Sequence, residues 1–253
     1  MTSHAGAGVH LDEVDLGPGV VAGFTDRHGG VSAPPYDTLN LGAHVGDDPG
    51  AVRTNRGLLA DRLGARVAFA DQVHGRCVVD VAGAHVLPVD ALEPVGTADA
   101  LVTDATDVAL GVLVADCVPV LLADPSARVV AAVHAGRRGL LDGVVQAALA
   151  ALVARGAEVS RVRAAIGPAV AGSSYEVPAA LRDELAAVVP ETAATTDRGT
   201  PALDLPAGVE VLLRRAGVRH VSRSSRDTRV DGDLFSYRRA HATGRFAGVV
   251  RLV

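Results

Sequence analysis

Six short apolar runs follow one another through the middle of the chain: VAFADQVHG, RCVVDVAG, ADALVTDATD, VALGVLVADC, VPVLLADP and VVAAVHAG. Each is closed by Gly, Pro or Asp, and runs of this length bounded in this way read as strands. After His134 the period changes. Leu140, Leu141, Val144, Val145, Ala148, Leu149, Leu152 and Val153 recur at helical spacing, and Gly156 ends the pattern. VRAAIGP, HVSRS and FAGVVRLV are further strands, and VPAALRDELAAVV and LPAGVEVLLRRAG two further helices. Strands arrive in runs with helices between and after them, which predicts an α+β fold with mixed β-sheets rather than a regular βαβ alternation.

The earlier part of the chain is irregular. GFTDRHGGVSAPPYDTLNLGAHVGDDP is rich in Gly and Pro, yet it carries Arg27, His28, Asn40, His44, Asp47 and Asp48, which argues for function. Asp48-Pro49 then opens a helix with Val52, Leu58, Leu59 and Leu63 on its apolar positions, and Gly64 closes it. The polar stretch from Pro190 to Pro201 reads as a surface loop. No internal repeat or long linker divides the 253 residues, so 1–253 reads as one domain, with residues 1–20 expected to be a less ordered N-terminal segment.

Composition narrows the chemistry by exclusion. All 24 basic residues are arginine, which rules out a lysine Schiff base, a pyridoxal phosphate anchor and a P-loop lysine. Any phosphate or carboxylate must be held by arginine or by backbone N–H groups. The net charge is −5 and the arginines are scattered among acids, so no surface announces nucleic acid. No apolar run is long enough for a membrane helix, and no signal peptide is visible, which makes the cytoplasm the expected location. That compartment argues against a disulfide between Cys77 and Cys117. Cys77, inside RCVVDV, reads as a small core residue.

DQVHG, VADCVPVLLAD and AAVHAGRRG put His74, Cys117 and His134 where apolar runs end or break beside Gly or Pro. Two imidazoles and one thiolate make a three-ligand zinc set with the fourth position open for water or substrate, the pattern of a catalytic site. Taken singly, each residue has a plainer reading, as a hydrogen-bonded histidine or a core thiol, and no local ligand motif links them. Asp99 in TADALVT and Asp116 in ADC lie beside buried strands. One of them could orient a metal-bound histidine or shuttle a proton; a turn or cap role is the commoner use. HAGRRG offers Gly136 and Gly139 for a tight turn, or an anion site made by free N–H groups with Arg137 and Arg138.

Assembled in order, FTDRHGGVS, LNLGAHVGDDP with the following NR, DQVHG, ADALVT, ADCVPVLLADP, HAGRRG, AAIGP with YEV, and FSYRR with TGR resemble the YfiH family. That family is also described as laccase-domain or polyphenol oxidase-like proteins, purine nucleoside phosphorylases and peptidoglycan editing factors. The similarity runs from about Phe24 to the C-terminus. It implies a single layered domain with two mixed sheets flanked by helices, and zinc ligands at His74, Cys117 and His134. It matches Arg27, Asn40 and Asp99 to polar positions around the family pocket. Two positions depart from the family pattern: Arg137 stands where Trp is usual, and Asp227 where a Cys is frequent. The first could alter stacking on a base or sugar; the second excludes an essential thiol there.

The activity implied is zinc-dependent phosphorolysis of adenosine, inosine, guanosine or methylthioadenosine to base and ribose 1-phosphate, with deamination of adenosine. The partners are then purine nucleosides and phosphate, with no nucleic acid and no membrane. In this reading His74, Cys117, His134 and Asp99 are catalytic, and Arg27, Asn40, Arg137 and Arg138 bind substrate. Copper is less supported as the cofactor: nine histidines include no His-x-His pair. The rival readings are a Cys-type hydrolase that edits peptidoglycan precursors, a copper polyphenol oxidase, and a non-enzymatic module with structural zinc.

Overall fold

The computed structural model describes residues 8–253. In chain order the elements are β1 (Leu11–Glu13), β2 (Val20–Thr25), α1 (Pro49–Leu63), β3 (Arg66–Phe69), β4 (Val78–Asp80), β5 (Ala100–Thr103), β6 (Val108–Val114), β7 (Val118–Asp124), β8 (Val129–Ala135), α2 (Arg137–Asp142) and α3 (Val144–Ala154). They continue with β9 (Arg163–Ile166), α4 (Ala179–Ala186), β10 (Ala193–Thr195), β11 (Pro201–Leu203), α5 (Leu205–Ala216), β12 (His220–Arg223) and β13 (Phe246–Leu252). One sheet has the order β1-β2-β13-β6-β3 and the other β12-β9-β7-β8-β5-β4, with β10-β11 a separate hairpin. The pairs β3–β6, β4–β5 and β9–β12 are parallel and the rest antiparallel, so both large sheets are mixed, as expected.

The continuous apolar character of β6, β7 and β8 follows from their place. All seven residues of each are buried, because both faces of each sheet are covered. Side chains alternate between two cores, as the period of a strand requires. Leu121, Ala123, Val130 and Ala132 meet Leu110, Val112 and Val250 between the sheets. Val118, Val120, Leu122, Val129, Ala131 and Val133 face the other way, onto Val145, Leu149 and Leu152 of α3 and Val209 and Leu213 of α5. On the far side of the five-stranded sheet, Leu59 and Leu63 of α1 cover Phe69, Leu113 and Val249. The result is four layers: α1, sheet, sheet, and α3 with α5. No helix among the described residues is long and apolar enough to cross a membrane.

α1 begins and ends where its sequence says. Asp48 accepts the N–H of Ala51 at 2.8 Å, Pro49 occupies the first turn, and Gly64 closes the helix at φ 65°. Four expectations change. The helix after His134 is two helices, because Gly143 takes φ 91° between α2 and α3; helical spacing persists across the break, which is why the pattern does not show it. The stretch 190–201 is not a plain loop: β10 and β11 pair antiparallel, Ala193 opposite Leu203, around a polar tip. Each strand is three residues long, too short for alternation to be legible. Cys77 is exposed, since it precedes β4 at the sheet edge. Of the first 20 residues, 1–7 lie outside the described residues, while β1 pairs with β2 and Val9, Leu11 and Leu16 are buried.

The sheets join at one corner. β6 leaves the five-stranded sheet, Ala115-Asp116-Cys117 turns, and β7 enters the six-stranded one. β7 runs antiparallel to β8 with Val118 opposite Ala135 and Pro119 opposite His134, so the register brings Cys117 beside the end of β8.

At the other end of β7, the fully buried Asp124 accepts N–H groups of Ser126, Ala127 and Glu158 and pairs with Arg161. Burial alone would raise its carboxyl pKa; the three N–H donors and Arg161 hold it below the ordinary range. A lowered folded-state pKa contributes stability that is present above the unfolded value and lost as pH falls through the folded one. Asp124→Ala is therefore expected to cost about 3 kcal/mol at pH 7. The deficit should shrink as the pH falls below about 4. Urea unfolding of both proteins at pH 7 and pH 3 checks this; an equal deficit at both pH values would contradict it.

Candidate active site

Asp99 sits where β5 begins and is 1% exposed. Its carboxylate accepts the N–H of His74 at 2.9 Å and of Gly75 at 2.6 Å, and meets Nδ1 of His134 at 2.8 Å. Burial pushes its pKa up, but these donors outweigh it and hold it below the ordinary range. An ionised carboxylate only accepts hydrogen bonds, so Nδ1 of His134 carries a proton and Nε2 is the ring atom turned toward the other donors, available to a metal once it gives up any proton of its own. The same carboxylate holds the turn that puts His74 at φ 60°, a conformation that side-chain-bearing residues seldom adopt.

Gln72 anchors that loop from the other side. Its side-chain amide donates to the carbonyl of Leu113 and accepts the N–H of Leu113, both at 2.8 Å, as a neighbouring strand would. Gly136 then lets the parts close up: a Cβ there would stand 2.8 Å from Cδ2 of His74 and 3.2 Å from Sγ of Cys117.

The outcome is one ligand atom each from His74, Cys117 and His134, all within 4.8 Å of one another. The two imidazoles meet edge to face with centroids 4.8 Å apart. Burial would raise the Cys117 pKa, but His134 and His74 reverse this and bring it down to about 6. Burial would lower that of His134, and the Cys117 thiolate with Asp99 raises it instead. Two nitrogens and a thiolate in tight convergence suit a zinc ion with one position open. Among the described residues this is the one such group of three or more His, Cys, Asp or Glu side chains.

The cluster opens into a cavity of about 620 Å³. Leu113, Val114, Val170 and Leu205 supply its apolar wall, with Tyr175 and Tyr237. Arg229, Arg238 and Arg245 make its cationic side, and His44 and His241 also line it. These three arginines spend their hydrogen bonds on carbonyls: Arg229 on Arg238, Arg238 on Glu176, Arg245 on Thr243 and Gly244. None of them has a carboxylate partner among the described residues, so their charge is left for a ligand. His44 has its pKa lowered, by burial first and then by Arg245 and Arg56.

Asp116 does a different job from Asp99. At φ 106° it accepts the hydroxyls of Thr228 and Ser236, each at 2.6 Å, and the N–H of Arg238 at 2.7 Å. It thereby fastens the segment bearing Arg229, Tyr237 and Arg238 to the residue before Cys117. Asp227, in the position where the family often has Cys, accepts the N–H of Ala171 at 3.1 Å and the hydroxyl of Ser174 at 2.6 Å. It secures the same segment to the loop before Tyr175.

Four expected substrate-binding residues stand outside the cavity lining. Arg27 pairs with Asp37 and stacks over Phe235 at 4.9 Å. Asn40 is fully buried; its Oδ1 accepts the N–H of Gly42 and of Arg245 and its Nδ2 donates to the Gly42 carbonyl and to Asp47, so it acts on the cavity by fixing Arg245 and the loop that carries His44. Arg137 pairs with Glu184 and Arg138 with Asp142 at the solvent-exposed start of α2. The irregular early segment is ordered by Asn55, whose side chain donates to Ser32, Thr38 and Asn40 and accepts from Val31. Of its polar residues only His44 reaches the cavity. Of the cavity residues not assigned from sequence, Tyr175, Tyr237, Arg238 and Arg245 lie in the YEV, FSYRR and TGR blocks, and that these segments are shared with a known family was the available signal; Arg229 and His241 stand outside every such block.

A family model described as multi-copper polyphenol oxidoreductase laccase matches residues 21–253. A Streptomyces coelicolor protein named a purine nucleoside phosphorylase is 54% identical over 248 residues, which is 96% of this chain and 99% of that one. The crystal structure of a Neisseria meningitidis protein of the DUF152 family model superposes with a TM-score of 0.85 at 37% identity, covering 96% of this chain and 98% of that one. That of the Bacillus licheniformis protein YfiH gives 0.83 at 31% identity, covering 92% and 93%.

Removing the charge behind His134 tests how far Asp99 organises the ligands. Asp99→Asn is expected to weaken zinc binding roughly 10–100-fold, as loss of a carboxylate behind a ligating histidine does elsewhere. Competition with a chromophoric chelator measures it; unchanged affinity would contradict the role.

Proposed function

The chain belongs to the YfiH family, and from that premise and the make-up of the cavity we propose that it is a zinc-dependent purine nucleoside phosphorylase that also deaminates adenosine. The observation that carries the reading is the union, in one cavity, of the His74, Cys117 and His134 donors with Arg229, Arg238 and Arg245, none of which has a direct carboxylate partner among the described residues. A phosphorylase needs an anion holder beside a group that activates the leaving base. Substrates are adenosine, inosine, guanosine and methylthioadenosine; the name carried by the Streptomyces coelicolor relative supports the class.

His74, Cys117 and His134 hold the zinc, and Asp99 keeps His134 in the tautomer that leaves Nε2 free. Zinc held by these three side chains would supply Lewis acidity toward a substrate atom or water. Arg229, Arg238 and Arg245 take over the phosphate-holding role first given to Arg137 and Arg138. They place a phosphate oxygen against the ribose anomeric carbon as the C–N bond breaks and the base departs with its electron pair. Tyr175, Tyr237 and the apolar wall enclose the purine and keep water from competing with phosphate. In deamination, water attacks the purine ring and ammonia leaves, with no use for the arginines. Zinc suits this donor set better than the copper of the family description, because a multicopper oxidase relays electrons through several centres and the described residues converge on one.

One observation favours a second reading. Cys117, His134 and Asp99 stand in the order nucleophile, base and orienting carboxylate, with the thiol pKa lowered, as a cysteine hydrolase acting on peptidoglycan precursors would use them.

The zinc-loaded protein is expected to convert adenosine to adenine and ribose 1-phosphate only when phosphate is present, and to inosine without it, as followed chromatographically. Cys117→Ala should lose zinc and both activities together. Retained zinc with full turnover in that variant would overturn the proposal. Hydrolysis of a peptidoglycan precursor that survives chelation would favour the second reading.

A further inference from the structure

A second cavity, also of about 620 Å³, shares Arg229 and Arg238 with the first. Its remaining wall comes from the residues around Glu176 and from the tip of the β10–β11 hairpin, including Ser173, Thr196 and Arg198. The partition between the chambers is thin. Tyr175 lines one and Glu176 the other, and Arg238 lies over the Tyr175 ring at 4.6 Å while its Nη1 donates to the carbonyl of Glu176 at 2.9 Å.

The volume of the first chamber lies in the middle of the range for small-molecule sites. The nucleoside and the phosphate of the proposed reaction are both placed there, which leaves the second chamber without an assigned occupant. Its charge shows what suits it. Arg198, Arg229 and Arg238 have no carboxylate partner among the described residues, and all three face it. Glu176 and Asp197 also line it and leave the balance one positive charge. In a nucleoside bound for phosphorolysis the base and the anomeric carbon are committed to the reaction. The 5′ carbon is the exocyclic carbon of the sugar, so a group carried there reaches furthest from the reacting bond.

Resting on the nucleoside reading, we propose that the second chamber binds an anionic group carried on the 5′ position, so that nucleoside 5′-phosphates bind across the Tyr175–Arg238 partition with their phosphate among Arg198, Arg229 and Arg238. Arg229 and Arg238 serve both chambers, whereas Arg198 serves the second alone. Arg198 is exposed at the hairpin tip, so its replacement leaves the core and the first chamber intact.

Calorimetric titration of the full-length, zinc-loaded protein with adenosine, adenosine 5′-monophosphate and adenosine 5′-diphosphate separates the cases. Both phosphates should bind more tightly than adenosine. Arg198→Ala should cut their affinity roughly tenfold, the value of one charge-assisted hydrogen bond, and leave adenosine unchanged. Adenosine that binds with no gain from the 5′-phosphate, or a gain that survives Arg198→Ala, would overturn this inference and leave the phosphorylase reading standing. Failure of adenosine itself to bind would overturn both.

Discussion

The Asp99 carboxylate, sealed from water, is the constraint on which the site depends. It ties together the start of β5, the end of β8 and the loop after β3, three segments that no local sequence pattern connects. A buried carboxylate left without donors would be costly, so the three segments close around it or the charge is stranded. By closing they deliver Nε2 of His134, hold His74 in a left-handed turn, and set both beside Cys117. Gly136 completes the arrangement by omission, because any Cβ there would stand between His74 and Cys117.

Asp116 extends the same logic to the other side of Cys117. Its three accepted hydrogen bonds draw the segment 228–238 over the cavity, and with that segment come Arg229, Tyr237 and Arg238. The two carboxylates divide the work: Asp99 organises the donors, Asp116 the cationic wall. Both share the corner where the chain passes between sheets, and that corner is rigid because β6, β7 and β8 are buried on both faces.

The distribution of arginine explains how a chain of net charge −5 keeps a cationic cavity. On the surface, arginines such as Arg53, Arg155 and Arg214 are matched by acids. Around the cavity the guanidinium groups are anchored by backbone carbonyls, which fix their position without a direct carboxylate partner among the described residues. A guanidinium has five donors, so one or two bonds to carbonyls still leave a face for an anion.

Local chemistry determined much of this protein in advance. Asp48-Pro49 and Gly64 bound α1 because capping is settled by the residues at the ends. The apolar runs mark the central strands, because burial on both faces leaves no room for polar side chains. The three donors His74, Cys117 and His134 were legible for the same reason, as polar residues breaking such runs beside Gly or Pro. Tertiary structure alone decided what those donors face. The arginines of a chain without lysine look alike in sequence, and whether one pairs with an acid, as Arg137 does with Glu184, or lies open in a cavity, as Arg238 does, depends on contacts between residues far apart in the chain. Asn40 and Arg27 likewise turned out to support the site rather than line it, because the direction of a side chain in an irregular segment is set by the hydrogen bonds that the folded surroundings offer, and no periodicity encodes it.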